Sequence, residues 1–231
     1  MSKSILLLIL CLFVLSSCDK KPDKRGFKAD FSEIFKNDTG SFILYDFNNR
    51  YYLIHNEEQT KEKYSPGQTY IYLSSLNFLN KYKSSGLKSG EVSDSITLAK
   101  LIDSTGLEIQ KKSITENNYG NKDTSFINSD FYYNSGLKIS TSEQVEFIKE
   151  LYISNENFKT IKNDFVTDTV KARNVSYIVS SDNEVSWCVG TVEYGSNIYV
   201  FALNILSSNK LRALEITQKI LYSVKILEEL K

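Results

Sequence analysis

The chain has 231 residues, of which 41% are hydrophobic and 24% are charged, a composition that suits one globular domain with a short extension. Its 28 basic and 28 acidic residues cancel, so no basic field predicts nucleic-acid binding and no acidic tail predicts a basic partner. Only Cys188 of the three cysteines lies in the body of the chain, and there is one histidine, so we expect no internal disulfide, no metal site and no cofactor.

The N-terminal segment indicates export. Lys3 precedes an apolar run over residues 5–15, which is too short to span a membrane comfortably but fits the core of a secretory signal. The ending Leu15-Ser16-Ser17-Cys18 resembles the lipobox of bacterial lipoproteins, in which Cys18 would be lipidated and become the new N-terminus. We therefore predict a signal peptide at 1–17, a lipid anchor and linker at 18–30, and attachment to a membrane of the bacterial cell envelope. A plain signal peptide with an incidental cysteine is the alternative.

The predicted domain, residues 31–231, begins with the pattern of a β-hairpin. Residues 41–47 and 51–55 are rich in β-forming side chains, and Asn48-Asn49 between them is typical of a turn. An apolar face over residues 68–82 predicts a helix that follows Pro66-Gly67. Further helices are predicted at 95–105, 107–114 and 140–152, the last opened by a capping box of Ser140 and Glu143.

The C-terminal third predicts three strands and a helix. The strands are expected at 177–180, 185–193 and 197–206. The helix is expected at 211–230, with Leu211, Leu214, Leu221, Val224 and Leu227 facing inward. This order predicts an α+β domain with a five-stranded antiparallel sheet, built by strands from both ends of the chain and flanked by helices with a helical subdomain.

Short sequence words occur within these elements in a recognisable order and spacing. They are Tyr64-Ser65-Pro66, Tyr119-Gly120-Asn121, Val189-Gly190-Thr191-Val192-Glu193 and Phe201-Ala202-Leu203-Asn204. Together they resemble the class D serine β-lactamases and the related penicillin-binding transpeptidases and sensors, over nearly the whole mature chain. The resemblance implies the fold of that family and a cleft in which the family carries a catalytic serine and, one helical turn later, a lysine.

The two residues that perform the family's chemistry are replaced in this chain. By the resemblance, Gln68 stands at the serine position and Ile71 at the lysine position. A glutamine amide cannot form an acyl-enzyme, and an isoleucine side chain cannot take a proton. In serine hydrolases, loss of the nucleophile or of its base costs on the order of a millionfold in turnover.

The remaining family motifs are kept only in part. The Ser-x-Val motif falls on residues 93–95, where Ser93 is kept and Ser95 replaces the valine, and the Lys-Thr-Gly motif is matched at Ser181-Asp182-Asn183, which removes its cation. Arg212 matches a family arginine that grips the substrate carboxylate, and Tyr132 stands where a tryptophan often covers the modified lysine. The expected residual cleft comprises Ser65, Ser93, Tyr119, Gly120, Asn121 and Arg212.

Three functions fit this pattern. The favoured one is a catalytically inactive, penicillin-binding or β-lactamase-like envelope lipoprotein that binds a peptidoglycan stem peptide, a β-lactam-like ligand or an envelope protein. The second is a residual or altered serine hydrolase that uses Ser65, Ser93 or Cys188; a Cys188–His55 dyad would need both groups to face one cleft. The third is a pure protein-interaction module whose cleft is filled by tyrosines. Residues 119–121 could equally be kept as a turn rather than for a ligand.

Overall fold

The structure is a computed structural model. It describes residues 25–83, 97–125, 128, 130–134, 136–154, 158, 166–170 and 173–227. The predicted signal peptide 1–17, the predicted lipidation site Cys18, and Ser93 and Ser95 lie outside the described residues.

A seven-stranded sheet forms the centre of the domain. Its strands are β1 (Arg25–Lys28), β2 (Gly40–Asp46), β3 (Tyr51–His55), β6 (Val166–Val170), β7 (Arg173–Ser181), β8 (Ser186–Tyr194) and β9 (Asn197–Ile205), in the order β1-β3-β2-β9-β8-β7-β6. The five predicted strands form its antiparallel middle, and β2 pairs with β9, so both ends of the chain contribute as predicted. The predicted fold class is confirmed, and two edge strands, β1 and β6, extend the predicted sheet.

Strand β1 corrects the predicted linker. Residues 25–28 fall within the linker expected at 18–30, but they pair in parallel with β3, with Arg25 opposite Tyr51 and Lys28 opposite Ile54. Edge strands carry many charged side chains because one edge faces solvent, so their sequences are easily mistaken for linkers. The linker can therefore extend only to residue 24.

Helices cover both faces of the sheet. They are α1 (Ser32–Phe35), α2 (Ile71–Lys83), α3 (Leu98–Thr105), α4 (Leu107–Glu116), α5 (Phe131–Asn134), α6 (Thr141–Ser154) and α7 (Lys210–Ser223), with 3₁₀ turns at Gln59–Lys61 and Gly67–Tyr70 and a small ladder of β4 (Lys63–Tyr64) and β5 (Ile139–Ser140). Helices α2 to α6 pack in one apolar core, and α1 and α7 pack in a second. None of the helices within the described ranges is long and apolar enough to cross a membrane.

The two cores follow from the alternation of side chains along the strands. In β2, Ile43 belongs to the core with α2 to α6, while Phe42 and Leu44 belong to the core with α1 and α7. In β8, Val189 and Cys188 divide in the same way. Successive side chains of a strand point to opposite faces, so a strand that is apolar at consecutive positions is buried on both. This explains the near-continuous apolar runs of β2, β8 and β9.

The capping box of α6 is confirmed. Ser140 N donates to Glu143 Oε2 at 2.9 Å, and Glu143 N donates to Ser140 Oγ at 3.2 Å. These reciprocal bonds satisfy two backbone donors that the helix start leaves unpaired. The local sequence therefore sets where this helix begins.

The inward face predicted for the last helix is partly wrong. Leu211 is 71% exposed, whereas the buried residues of α7 are Ala213, Ile216, Thr217, Ile220 and Leu221. Leu221 and Leu227 are buried as predicted. Asn209 caps the helix by accepting from Arg212 N at 3.1 Å, and from that start the spacing of a helix turns residues 213, 216 and 220 toward the sheet.

Candidate ligand-binding cleft

The 3₁₀ turn at Gly67–Tyr70 positions Gln68 directly before helix α2. Thr69 stabilises the turn, because its N and Oγ1 both donate to Pro66 O, at 3.1 and 2.6 Å. Gly67 has a φ of +51°, a conformation that L side chains rarely adopt. A Cβ at this residue would lie 2.3 Å from Ser180 Oγ, so the glycine leaves the space that the Ser180 hydroxyl occupies.

Gln68 forms a hydrogen bond with Ser180, a residue that no sequence motif marks. Gln68 N donates to Ser180 Oγ at 2.8 Å, across 112 residues of sequence, and Ser180 is only 2% exposed. Gln68 itself is half-buried. A backbone N–H at the start of a helix is the kind of donor that stabilises an oxyanion in acyl transfer. Here a side-chain hydroxyl of the protein already occupies it.

Ile71 has an apolar side chain at the position where the resemblance places the family's lysine base. It is 6% exposed and belongs to the core shared with Tyr70 and Leu73. The side chain one turn after Gln68 therefore has no atom that could accept a proton. The structure places Gln68 in the turn and Ile71 at the first residue of α2.

The hydroxyl of Ser65 donates a hydrogen bond to a backbone carbonyl. Ser65 Oγ donates to Tyr132 O at 2.7 Å, and Ser65 O accepts from Trp187 Nε1 at 2.8 Å. A serine becomes a nucleophile when its proton is held by a base, and a carbonyl oxygen is not one. Ser65 therefore joins the turn to α5 and β8. The ring of Tyr132 lies parallel to that of Tyr70, with 6.5 Å between centroids, and packs there as part of the core.

Residues 119–121 form a structural joint. Gly120 has a φ of +56°, and a Cβ there would lie 2.1 Å from Lys138 O. Asn121 N donates to Lys138 O at 2.8 Å, Asn121 Nδ2 donates to Gly136 O at 2.7 Å, and Lys138 N donates to Asn121 Oδ1 at 3.0 Å. Tyr119 is buried against Tyr70, and burial raises the pKa of its hydroxyl. The geometry favours the structural interpretation of this motif.

The predicted counterpart of Lys-Thr-Gly lies at the hairpin between β7 and β8. Ser181 is the last residue of β7, and its Oγ donates to Ser208 O at 3.0 Å. Asp182 Oδ1 accepts from Glu184 N and Val185 N, both at 2.8 Å, which closes the hairpin turn. The strand contact to Gln68 is therefore made by residue 180, one residue before the predicted segment 181–183.

Arg212 does not belong to this cleft, which corrects the predicted anion contact. Its Nε donates to Asp38 Oδ2 at 2.7 Å, and its Nη2 donates to Ile34 O and Phe35 O, both at 3.0 Å. Arg212 lies on α7, which packs with α1 on the sheet face opposite to α2. Its guanidinium ties the end of α1 to α7 by donating to two carbonyl groups at the end of that helix.

A Cys188–His55 dyad is excluded by the sheet. His55 pairs with Phe42, Phe42 with Leu203, and Leu203 with Cys188, so three strand spacings separate the two residues, about 14 Å. His55 Nδ1 accepts from Phe31 N at 3.2 Å instead. Burial raises the pKa of the Cys188 thiol to about 12, so the nucleophilic thiolate is scarce at neutral pH.

Cys188 is expected to resist alkylation in the folded protein. Iodoacetamide at pH 8 should modify Cys188 fully only after denaturation, because the thiol is fully buried and protonated. Peptide mapping by mass spectrometry separates this cysteine from Cys11 and Cys18. Rapid labelling of native Cys188 would contradict the packing described for β8.

The part of the chain that the structure describes holds no cluster of three or more His, Cys, Asp or Glu side chains that could bind a metal ion. Where the turn at Gly67–Tyr70 meets β7, the polar groups include the Gln68 amide and the Ser180 hydroxyl.

The chain is similar in sequence and in fold to several known proteins. No protein-family model matches the chain. The chain is 28% identical to the regulatory protein BlaR1 of Staphylococcus aureus over 80% of its own length, and 25% identical to β-lactamase OXA-20 of Pseudomonas aeruginosa over 96% of its length and 97% of the enzyme. The C-terminal domain of the Bacillus licheniformis BlaR penicillin-receptor has a TM-score of 0.75 at 23% identity and covers 89% of this chain and 98% of that domain. The chain is a homologue of the class D β-lactamases and of BlaR-type penicillin receptors.

This homology confirms the predicted family resemblance. The solved BPu1 β-lactamase adds a TM-score of 0.72 at 25% identity, with 87% of this chain and 99% of that one covered. The chain spans only 37% of the length of S. aureus BlaR1. It therefore corresponds to one part of that regulatory protein, while it matches OXA-20 from end to end.

Proposed function

We propose that this protein is a non-catalytic member of the penicillin-binding and β-lactamase-like group, which binds a ligand reversibly where α2 begins against β7. The observation that carries the proposal is the pair Gln68 and Ile71: an amide and a buried hydrocarbon stand where the homologous enzymes need a serine and a base. The described residues keep the overall fold of these homologues. Retention of the fold together with loss of both groups favours binding over turnover.

The ligand class follows from the homologues and from the polar groups of the cleft. A homologous domain is a penicillin-receptor, so we propose a β-lactam-like compound or a peptidoglycan stem peptide as the ligand. The Gln68 amide can both donate and accept, which matches the amide groups of such peptides. An envelope protein that docks at the same turn is the alternative partner.

The leader supports a location in the bacterial envelope. We propose that residues 1–17 are removed, that Cys18 carries lipid, and that residues up to 24 connect the anchor to β1. The protein would then stand on a membrane surface of the bacterial cell envelope.

Trp187 offers a direct test of ligand binding. It is the only tryptophan of the chain, and its indole N–H bonds to Ser65 O beside the turn that holds Gln68. Titration with a stem pentapeptide or benzylpenicillin is expected to change its fluorescence in a saturable way that dilution reverses. Gln68→Ala should weaken the effect, and Gln218→Ala on α7, on the opposite sheet face, should not.

Two results would favour the other functions. Fluorescence that stays unchanged at millimolar ligand would favour a protein-interaction module. Nitrocefin hydrolysis by the unmodified chain that disappears in Ser65→Ala or Ser93→Ala would favour a residual hydrolase.

A further inference from the structure

The Ser180 hydroxyl accepts a hydrogen bond from the backbone N–H of Gln68, in the turn that leads into α2. Its Oγ accepts from Gln68 N at 2.8 Å. The absence of a side chain at Gly67 allows this contact, because a Cβ there would lie 2.3 Å from the same oxygen. Any larger residue at 67 would displace the Ser180 hydroxyl from its present position.

The sheet and the turn hold this contact at two points. Ser180 pairs with Trp187 on the neighbouring strand, and Trp187 Nε1 donates to Ser65 O at 2.8 Å. Residues 65 and 68 are thus attached to adjacent residues of β8 and β7. The Gln68 N–H is therefore held facing Ser180, in a region where Ser180 and Trp187 are both buried.

A backbone N–H carries a single hydrogen, so one strong acceptor uses it. A ligand oxygen that needed this donor would have to displace the Ser180 oxygen from a buried site. The developing negative charge of an acyl-transfer reaction depends on such preorganised N–H groups, and removal of one costs about a hundredfold to a thousandfold in rate.

We propose that Ser180 is a specificity determinant of the cleft: its hydroxyl is a built-in acceptor that excludes acylating carbonyls and small oxyanions from the Gln68 N–H. This role of Ser180 rests on the proposed function, because it concerns the same cleft. Its consequence is that a restored serine and lysine would not by themselves restore acylation. A natural ligand of this cleft is then recognised through side chains, with the Gln68 amide foremost.

The test compares variants in which a nucleophile and a base are supplied. Gln68→Ser with Ile71→Lys provides them, and burial at position 71 lowers the pKa of the new amine so that a neutral fraction can accept the proton. The introduced hydroxyl adds to the lactam carbonyl and passes its proton to that amine. The lactam C–N bond then breaks, and its nitrogen takes the proton. The rate of covalent labelling by a fluorescent penicillin is measured with and without Ser180→Ala.

Addition of Ser180→Ala is expected to raise the labelling rate of this double variant about a hundredfold. Ser176→Ala is the matched control and should leave the rate unchanged, because Ser176 is a buried serine on the same face of β7. In the otherwise unmodified chain, Ser180→Ala should also speed hydrogen exchange of the Gln68 amide at least tenfold without changing that of Leu73.

Equal labelling with and without Ser180→Ala, including no labelling in either, would overturn the inference, as would unchanged exchange at Gln68. Covalent labelling of the unmodified chain would count against the proposed function alone, because the comparison between variants measures only the effect of position 180. Circular dichroism confirms that each variant is folded.

Discussion

Replacement of Gln110 by alanine is expected to lower the free energy of unfolding by about 4 kcal/mol. Gln110 is fully buried in α4 and uses all of its hydrogen-bonding capacity. Its Oε1 accepts from Tyr70 Oη and Asn77 Nδ2, both at 2.8 Å, and its Nε2 donates to Thr105 Oγ1 at 2.6 Å and Ser74 Oγ at 3.2 Å. The alanine variant leaves two buried donors without acceptors, each at about 1 to 3 kcal/mol, and a cavity.

Chemical denaturation followed by circular dichroism measures this loss. Tyr70→Phe is the graded control: it removes one donor, leaves Gln110 Oε1 bonded to Asn77, and should cost only about 1 kcal/mol. Because Tyr70 ends the turn that carries Gln68, the Gln110→Ala variant should also lose ligand-induced fluorescence of Trp187. A loss below about 1 kcal/mol for Gln110→Ala would contradict the network.

Replacement of Gly120 by alanine is expected to destabilise the protein by about 3 kcal/mol. The left-handed conformation of residue 120 costs an L residue about 1 kcal/mol, and the Cβ, 2.1 Å from Lys138 O, forces backbone apart at further cost. Asn121 forms hydrogen bonds with the same backbone, at Gly136 and Lys138, so residues 119–121 cannot easily move away from it.

Gly195→Ala separates the two causes. Gly195 has nearly the same φ, +57°, and nothing lies within 4 Å of a Cβ built there, so only the conformational cost of about 1 kcal/mol remains. The difference between the two variants, about 2 kcal/mol in thermal or urea unfolding, measures the close approach at Gly120. Equal losses would show that the approach is unimportant.

The middle of the fold could be predicted because its signals are local. The hairpin of β2 and β3 has a turn between two β-forming runs. The capping box of Ser140 and Glu143 marks within four residues where α6 begins. The edge strands could not be predicted, because a charged segment such as residues 25–28 becomes a strand only when β3 offers it an edge to pair with.

The face of a helix was harder to predict than its existence. Leu211 fits an apolar pattern, yet the sheet receives Ala213, Ile216 and Ile220, because the docking of α7 depends on which residues of β8 and β9 it meets. The same limit applied to Arg212. Its match to a family position was a matter of spacing, and only the packing of α1 against α7 showed that Asp38 is its partner.

The candidate site residues that lie close together in the sequence could be proposed from it. The contact between two distant segments of the chain could not. Gln68 and Ile71 are three residues apart, so the resemblance found both. Ser180 is 112 residues from Gln68 and sits in an ordinary β-run, where a single serine gives no signal. The predicted segment 181–183 begins one residue after the serine that contacts Gln68.

The proposed function requires that no residue of this protein forms an acyl-enzyme. Its most direct test is the intact mass of the mature chain after incubation for hours with millimolar benzylpenicillin, with the Gln68→Ser, Ile71→Lys and Ser180→Ala variant alongside. The unmodified chain should keep its mass, while the triple variant gains that of one penicillin. A stoichiometric adduct on the unmodified chain, mapped to one residue of the cleft, would contradict the account.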